Sequence, residues 1–376
     1  MKTIKIERQI PYFDQDTTAI IKGIALVMMF VHHFFTFPTW WIDGIAYPFL
    51  EDIAPYFCQP LKLCVSIFCF LTGYFYFYST DKTYSYSARK ITDIFIYYWT
   101  VLFLFAFLAI VKVHYVYTPI SFLKEMFALE RPTMRFCWYV YFYYLIMLIL
   151  PLLTKLMSKS IYFDFFYSVI LIPSLIWGIN QIVTDYIGNA LIGGMLESLL
   201  SWFPTVLVGF VFARYGLLDR MADYNSRIYL SKKIAILLWI IGALCAPMGR
   251  YVLPSFTLNF GVLPIIHHPI SISILLDFVY APIFIYCLVN LCINIRLYYT
   301  QFILKQIGKY SLLMWFVSCI FYNNSKLFFQ PILYWPRNPV LVLVWGLWIC
   351  YSVSVILNIG LSIIIKQKNK IIFHKV

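Results

Sequence analysis

The chain contains few charged residues. Only 12% of its 376 residues are Asp, Glu, Lys or Arg, about half of the roughly 25% found in soluble domains. No polar stretch is long enough to form a separate soluble domain, whereas 62% of the residues are apolar and the mean hydropathy is +0.80. This composition excludes an ordinary soluble protein and predicts an integral membrane protein.

Several motifs of well-known enzyme classes are also absent. The sequence has no GxSxG elbow, no HExxH motif and no GxxxxGK[ST] loop, so hydrolase-elbow, zincin and P-loop NTPase chemistry lack support. Nine cysteines are present, but they form no CxxC pair and fall mostly in apolar segments. That placement favours packing over a metal site or a disulfide framework. We therefore expect neither a resident metal nor a permanently bound cofactor.

The apolar residues are grouped in segments long enough to cross a membrane, which needs about 20 residues per helix. Ten spans are predicted, at approximately residues 18–37, 61–79, 91–113, 136–154, 161–178, 198–213, 234–252, 270–293, 307–325 and 339–365. The first is preceded by basic residues, but it lacks a small-residue cleavage site and other spans follow, so we expect a retained helix and not a signal peptide.

The net charge of +13 follows from topology. With both termini in the cytoplasm, 21 of the 29 Lys and Arg residues fall in cytoplasmic segments and six in outer segments, as the positive-inside rule predicts. The basic charge therefore gives no support for a nucleic-acid partner. The expected fold is all-α, a polytopic membrane protein of about ten helices with cytoplasmic N- and C-termini. We expect one domain over residues 1–376, with a short basic tail from about residue 366.

The first predicted span contains KGIALVMMFVHH, from Lys22 to His33. Eleven residues separate these two side chains, which in a helix gives an angular offset of about 20° and a rise of about 16.5 Å. Both should lie on one face, with Lys22 at the cytoplasmic edge and His33 about halfway through the bilayer. His32 should point elsewhere, about 80° from Lys22. Ionisable groups at such depth are expensive, so they indicate either a functional site or hydrogen bonds to neighbouring helices.

Four groups of segments together resemble one family of membrane enzymes. They are IKGIALVMMFVHHFF (21–35), SIFCFLTGYFYF (66–77), SARKITDIFIYYW (87–99), and CWYVYFYYLIMLILPLL (137–153) with IGKYSLLMWFV (307–317). In this order they are similar to acyltransferase family 3, especially the bacterial polysaccharide O-acetyltransferases. Three positions depart from the family pattern: Thr72 replaces a serine, Asp93 an arginine, and Ser318 a second histidine.

The resemblance implies specific roles for several residues. It assigns the essential histidine to His33, which could accept a hydroxyl proton or accept the acyl group itself. Lys22, Arg89 and Lys90 are candidates for contacts with the phosphates of acetyl-CoA, although Arg89 and Lys90 could equally serve only to set topology. His32 is a supporting candidate.

Asp277 is a second supporting candidate. It falls in the eighth apolar segment, where a lone carboxylate would be costly. It could pair with a basic group or orient a histidine, or the helix boundary could lie elsewhere.

The expected activity is O-acetyl transfer from acetyl-CoA to a hydroxyl of a cell-surface or secreted polysaccharide or its lipid-linked precursor. The expected cellular location is the bacterial cytoplasmic membrane. Besides acetyl-CoA, the glycan and the lipid bilayer, other copies of the chain or envelope-assembly proteins are possible partners. Two alternatives stay open: a glycan-precursor transporter or flippase, whose histidines would relay protons or bind substrate, and a non-catalytic sensor of the same fold. No matching pair of interrupted helices supports the transporter.

Overall fold

The computed structural model describes residues 13–36, 41, 47–79, 82–131, 133–134, 136–157, 160–187, 190–227, 231–252, 257–258, 270–271, 276–295, 297–321 and 329–373. These residues form a helical bundle. The helices are α1 (Gln15–Phe35), α2 (Pro48–Cys58), α3 (Leu63–Tyr78), α4 (Tyr84–Val113), α5 (Pro119–Met126), α6 (Trp138–Leu156), α7 (Ile161–Phe166), α8 (Ile172–Ile182), α9 (Ala190–Arg214), α10 (Leu217–Arg227), α11 (Lys232–Val252), α12 (Asp277–Asn294), α13 (Tyr298–Lys309), α14 (Ser311–Ser318), α15 (Phe329–Tyr334) and α16 (Pro339–Phe373).

Shorter elements join some of these helices. Single 3-10 turns cover Pro60–Lys62 and Cys319–Phe321, and π-helical turns cover Tyr167–Leu171 and Val183–Ile187. Two strands of two residues each, β1 (Thr257–Leu258) and β2 (Ile270–Ser271), pair antiparallel. The predicted all-α class is confirmed, because the described part of the chain is otherwise helical.

Nine helical segments within the described residues are long and apolar enough to cross a membrane, against the ten predicted. The difference lies at the predicted span 307–325. There the helix is interrupted at Tyr310, which separates α13 from α14, and the apolar helix that follows is described over Ser311–Phe321. Residues 322–325 of the predicted span lie outside the described residues. The chain is a multi-pass membrane protein. Its last helix continues to Phe373, beyond the predicted end of the span at residue 365.

Helix α1 begins three residues earlier than predicted. The Asp14 side chain accepts a hydrogen bond from the Thr17 backbone N–H at 2.7 Å, which satisfies one of the free donors at the helix start. Lys22 lies seven residues after the first residue of the helix, about 10 Å from its start. His33 lies two residues before the last residue, Phe35. The bilayer depths expected for these two residues stay predictions.

Glycines allow the helices that build the bundle to cross closely. A Cβ atom at Gly73 of α3 would overlap the Val206 carbonyl of α9, and one at Gly209 of α9 would overlap the Phe70 carbonyl of α3. The α1–α13 crossing is built in the same way, from Gly23 and Gly308. Small residues at such contacts let backbones approach, which is the usual basis of helix packing in membranes.

Helices α1 and α3 run in opposite directions. The Phe13 ring, just before α1, packs against Tyr74 near the end of α3, with ring centroids 5.5 Å apart. At the other end, His32 of α1 lies against the Cys58 carbonyl, just before α3. Residues 13–22 thus lie beside the end of α3, whereas residues 32–33 lie beside its start.

Candidate functional site

One cavity of about 510 Å³ lies between α1, α3, α4, α6 and α14. Lys22 and His33 of α1 both line it, as does Lys90 of α4. The predicted helical face of α1 that carries Lys22 and His33 is therefore the face turned to this cavity. Because α1 places the two residues about 16.5 Å apart along its axis, the cavity has a Lys22 end and a His33 end.

Two ammonium groups meet at the Lys22 end. Lys22 is half-buried, and its charge interacts unfavourably with that of Lys90. Lys90 lies 3.5 Å from Asp93 and its ammonium stands 5.8 Å from the centre of the Tyr86 ring. Asp93 balances the charge of Lys90, and the charge of Lys22 is left to favour an anionic group of a ligand.

Arg89 occupies a different position from Lys90. Its side chain is exposed, and it does not line the cavity. The two residues are adjacent in sequence, so they point about 100° apart around α4. The structure thus brings Lys22, Lys90 and His33 together in one cavity and leaves Arg89 outside it.

His33 lies at the opposite end, among aromatic rings. Its imidazole is 4.9 Å from the Phe136 ring and 5.1 Å from the His32 ring, measured between ring centres. The side chain is half-buried and reaches the cavity wall. A titratable ring in such surroundings can exchange a proton or an acyl group with a ligand inside the cavity.

His32 is held away from the cavity. Its Nδ1 atom lies 3.0 Å from the Cys58 carbonyl oxygen and 3.0 Å from the Thr36 hydroxyl. The ring is buried and does not line the cavity. His32 thus fastens the end of α1 to the end of α2, while His33 faces the cavity.

Hydroxyl groups also line the cavity. The hydroxyls of Thr72 and Tyr139 lie 3.2 Å apart, and Thr72 also donates to the Phe68 carbonyl at 2.8 Å. Thr72 is eight residues along α3 from Cys64, another cavity residue near its start. This pair offers hydrogen-bonding groups within an otherwise mostly apolar wall.

Asp277 is the first residue of α12, so the helix begins later than the predicted segment at 270–293, as one of the alternatives left open by the sequence allowed. One carboxylate oxygen lies 2.8 Å from Nε of Arg250, and the other accepts from the Ser66 hydroxyl at 2.7 Å. Neither Asp277 nor Arg250 lines the cavity. Asp277 therefore pairs with a basic group, one of the two arrangements expected from the sequence.

Lys62 adds a further cation beside this buried pair. Its charge interacts with those of Arg250 and Asp277, and also with both His32 and His33. The Arg250 guanidinium stands 5.8 Å from the centre of the Trp202 ring. The sequence did not single out Arg250, Ser66 or Lys62, because their partners lie on other helices.

A buried carboxylate outside the cavity was also missed. Glu125, in α5, accepts from the Thr133 N–H and hydroxyl at 2.8 and 2.7 Å, and from the Met134 N–H at 2.8 Å. The Tyr117 hydroxyl donates to it at 3.0 Å, and burial raises the pKa of Tyr117. The acidic residue alone gave no signal of this role, since its partners are backbone groups of a loop.

Ser318 stands where many relatives of the resembled family carry a second histidine. It is the last residue of α14, it is buried, and its hydroxyl donates to the Trp315 carbonyl at 2.7 Å. It does not line the cavity. Among the residues that the structure describes, no three His, Cys, Asp or Glu side chains form a group that could hold a metal ion.

Comparison with known proteins gives one result. A family model described as an acyltransferase domain matches residues 15–365. This range includes all five helices around the cavity. No curated protein and no solved structure matches the chain.

Proposed function

The chain belongs to this acyltransferase family, and from that premise we propose that it is a membrane O-acetyltransferase. Acetyl-CoA is the proposed donor, and a hydroxyl of a cell-surface or secreted polysaccharide, or of its lipid-linked precursor, is the proposed acceptor. The bacterial cytoplasmic membrane is the proposed location. The observation that carries the proposal is that one and the same cavity has two ammonium groups at one end and a histidine at the other.

The charge at the Lys22 end fits the phosphate groups of the donor. A lysine attracts phosphate as a point charge, and Lys22 and Lys90 converge on the same end of the cavity. The same cavity reaches His33 and is also lined by Thr72 and Tyr139. A pantetheine arm lying along it would carry the thioester to His33 and find hydrogen-bonding hydroxyls on the way. Arg89, outside the cavity, has no place in this arrangement.

His33 then acts on the acceptor hydroxyl. In the direct route its imidazole takes the hydroxyl proton as the oxygen attacks the thioester carbonyl. The carbon–sulfur bond breaks, the CoA thiolate leaves, and the proton passes from the imidazolium to that thiolate. In the covalent route the imidazole attacks the thioester carbonyl, the carbon–sulfur bond breaks and the CoA thiolate leaves. The acceptor hydroxyl then attacks the acetyl group on the imidazole, the carbon–nitrogen bond breaks, and the hydroxyl proton passes to the thiolate. Both routes need His33 at the thioester, and both need His32 only to hold the end of α1.

The experiment that tests this proposal compares the two histidines. A strain deleted for the gene is complemented with the wild type, His33→Ala or His32→Ala, and O-acetyl groups on its surface glycan are measured by NMR. We expect His33→Ala to abolish acetylation, since removing a general base or nucleophile costs at least about 100-fold in rate. His32→Ala should keep a large part of it. Membrane levels of each variant are measured in parallel.

Four results would contradict the proposal. Full acetylation with His33→Ala would remove His33 from the mechanism, and loss with His32→Ala alone would move the role to the other ring. Purified protein that moves a glycan precursor across vesicles without consuming acetyl-CoA would be a transporter. Protein that binds acetyl-CoA without turnover would be a sensor.

A further inference from the structure

A second pocket, of about 490 Å³, lies apart from the cavity that contains His33. Three basic side chains, Lys82, Lys155 and Arg214, line it, together with Phe77, Pro151, Thr154 and Phe210. None of these residues lines the first cavity. The basic residues come from the segment after α3, the end of α6 and the end of α9. The proposed acyl transfer assigns no role to any of them.

The positive charge in this pocket is only partly balanced. Arg214 lies 3.8 Å from Asp164 and donates to the Met157 carbonyl. Lys82 stands over the Phe77 ring, 5.0 Å from its centre. Within the described residues, neither Lys82 nor Lys155 makes an ion pair. Asp164 is also shared, because the Tyr215 hydroxyl donates to it at 2.8 Å.

The partial negative charges at the C-terminal ends of the helices are too small to balance three cations. The C-termini of α3, α6 and α9 each carry only about half a negative charge, and basic residues near such ends are favourable. Arg214 already donates to one of these carbonyls and faces Asp164. Two lysine charges therefore remain directed at a pocket large enough for a phosphate group.

The surroundings favour a phospholipid as the source of that phosphate. Leu152 and Leu156, on either side of Lys155 in α6, are 56% and 54% exposed, as expected for side chains that face lipid tails in a membrane helix. Phe77 and Phe210 give the pocket an apolar wall. Basic pockets between membrane helices on the cytoplasmic side are where anionic headgroups bind, and the basic segments here are those expected on that side.

We propose that this pocket binds a phosphate-bearing ligand, which the exposed leucines on either side of Lys155 indicate to be the headgroup of an anionic phospholipid. The same chemistry is carried by soluble nucleotides, so the test includes both sources. The ligand would tie the ends of α3, α6 and α9 together. This proposal concerns binding alone and does not depend on acyl transfer.

Binding is measured on the full-length protein, delipidated in detergent, by native mass spectrometry and by titration. The probes are phosphatidylglycerol, phosphatidylcholine with the same acyl chains, and adenosine 3′,5′-bisphosphate. The test variant is Lys82→Gln/Lys155→Gln, which leaves Arg214 and its contact with Asp164 in place. The matched control is Lys232→Gln/Lys233→Gln, because these two exposed lysines begin α11 outside the pocket.

We expect phosphatidylglycerol to bind more tightly than phosphatidylcholine, and the test variant to lose roughly 30-fold in its affinity, at about 1 kcal/mol per lysine. The control should change little. If the test variant loses affinity for the bisphosphate instead, the phosphate site stands and its source is a nucleotide. Unchanged affinity for both probes, or an equal loss in the control, would overturn the proposal.

Discussion

Adjacent residues on α4 have different surroundings, and their substitution separates donor binding from topology. Lys90 lines the cavity beside Lys22, whereas Arg89 is exposed outside it. We expect Lys90→Gln to raise the KM for acetyl-CoA roughly 10- to 100-fold, the worth of one hydrogen bond to a charged group. Arg89→Gln is the control and should leave KM within about threefold. Equal effects of the two substitutions would mean that Lys90 acts only through net charge.

A second residue-scale prediction concerns the buried pair of Arg250 and Asp277. Asp277→Asn keeps an acceptor for the Ser66 hydroxyl but leaves Arg250 buried without its counter-charge, with Lys62 nearby. Breaking such a pair from one side costs about 3–5 kcal/mol, so the variant should unfold at a clearly lower temperature in detergent.

Two variants serve as controls for this pair. Arg250→Met/Asp277→Asn removes both charges and should be less damaging than Asp277→Asn alone. Glu130→Gln breaks the pair with Lys124, whose side chains are 42% and 48% exposed, and should cost less than about 1 kcal/mol. An Asp277→Asn variant as stable as Glu130→Gln would show that the buried pair adds nothing.

At the scale of helices, the crossing of α3 and α9 depends on Gly73. An added Cβ would overlap the Val206 carbonyl, and neither backbone can move without separating the two helices. We expect Gly73→Ala to destabilise the protein by about 1–3 kcal/mol or more, as overpacking does. Gly194→Ala, also in a crossing partner, is the control because nothing lies within 4 Å of its added Cβ. Equal unfolding midpoints for the two variants would contradict this crossing.

The lengths of the apolar segments predicted where most helices lie, because a membrane span needs an unbroken apolar run. It did not predict the interruption at Tyr310, whose backbone angles leave the helical range at φ −101° and ψ 9°. Hydropathy cannot detect such a break when apolar residues continue on both sides. It also did not predict α2 (Pro48–Cys58), which precedes the predicted span at 61–79.

The candidate site likewise has features that the sequence predicted and features that it did not. Helical periodicity correctly placed Lys22 and His33 on one face of α1, because that relation is local. The bond between Asp277 and Ser66 joins residues 211 positions apart, and no local pattern signals such a contact. The separation of Lys90 from Arg89 likewise depends on which side of α4 the other helices cover. Local geometry was therefore predictable, whereas partners on other helices required the fold.

Across the whole molecule, the proposed function gives the cavity a direction, with the proposed donor acetyl-CoA entering at the Lys22 end. Its Lys22 end lies nearer the start of α1 and close to the start of α4, which the charge distribution predicts to be cytoplasmic. Acetyl-CoA is highly charged and cannot cross a bilayer unaided. We therefore expect sealed inverted vesicles to transfer acetyl groups from added acetyl-CoA to endogenous glycan, and right-side-out vesicles to transfer none. Permeabilising both preparations should remove the difference. Transfer by intact right-side-out vesicles would reverse the predicted orientation, because the donor would then be entering from the His33 end.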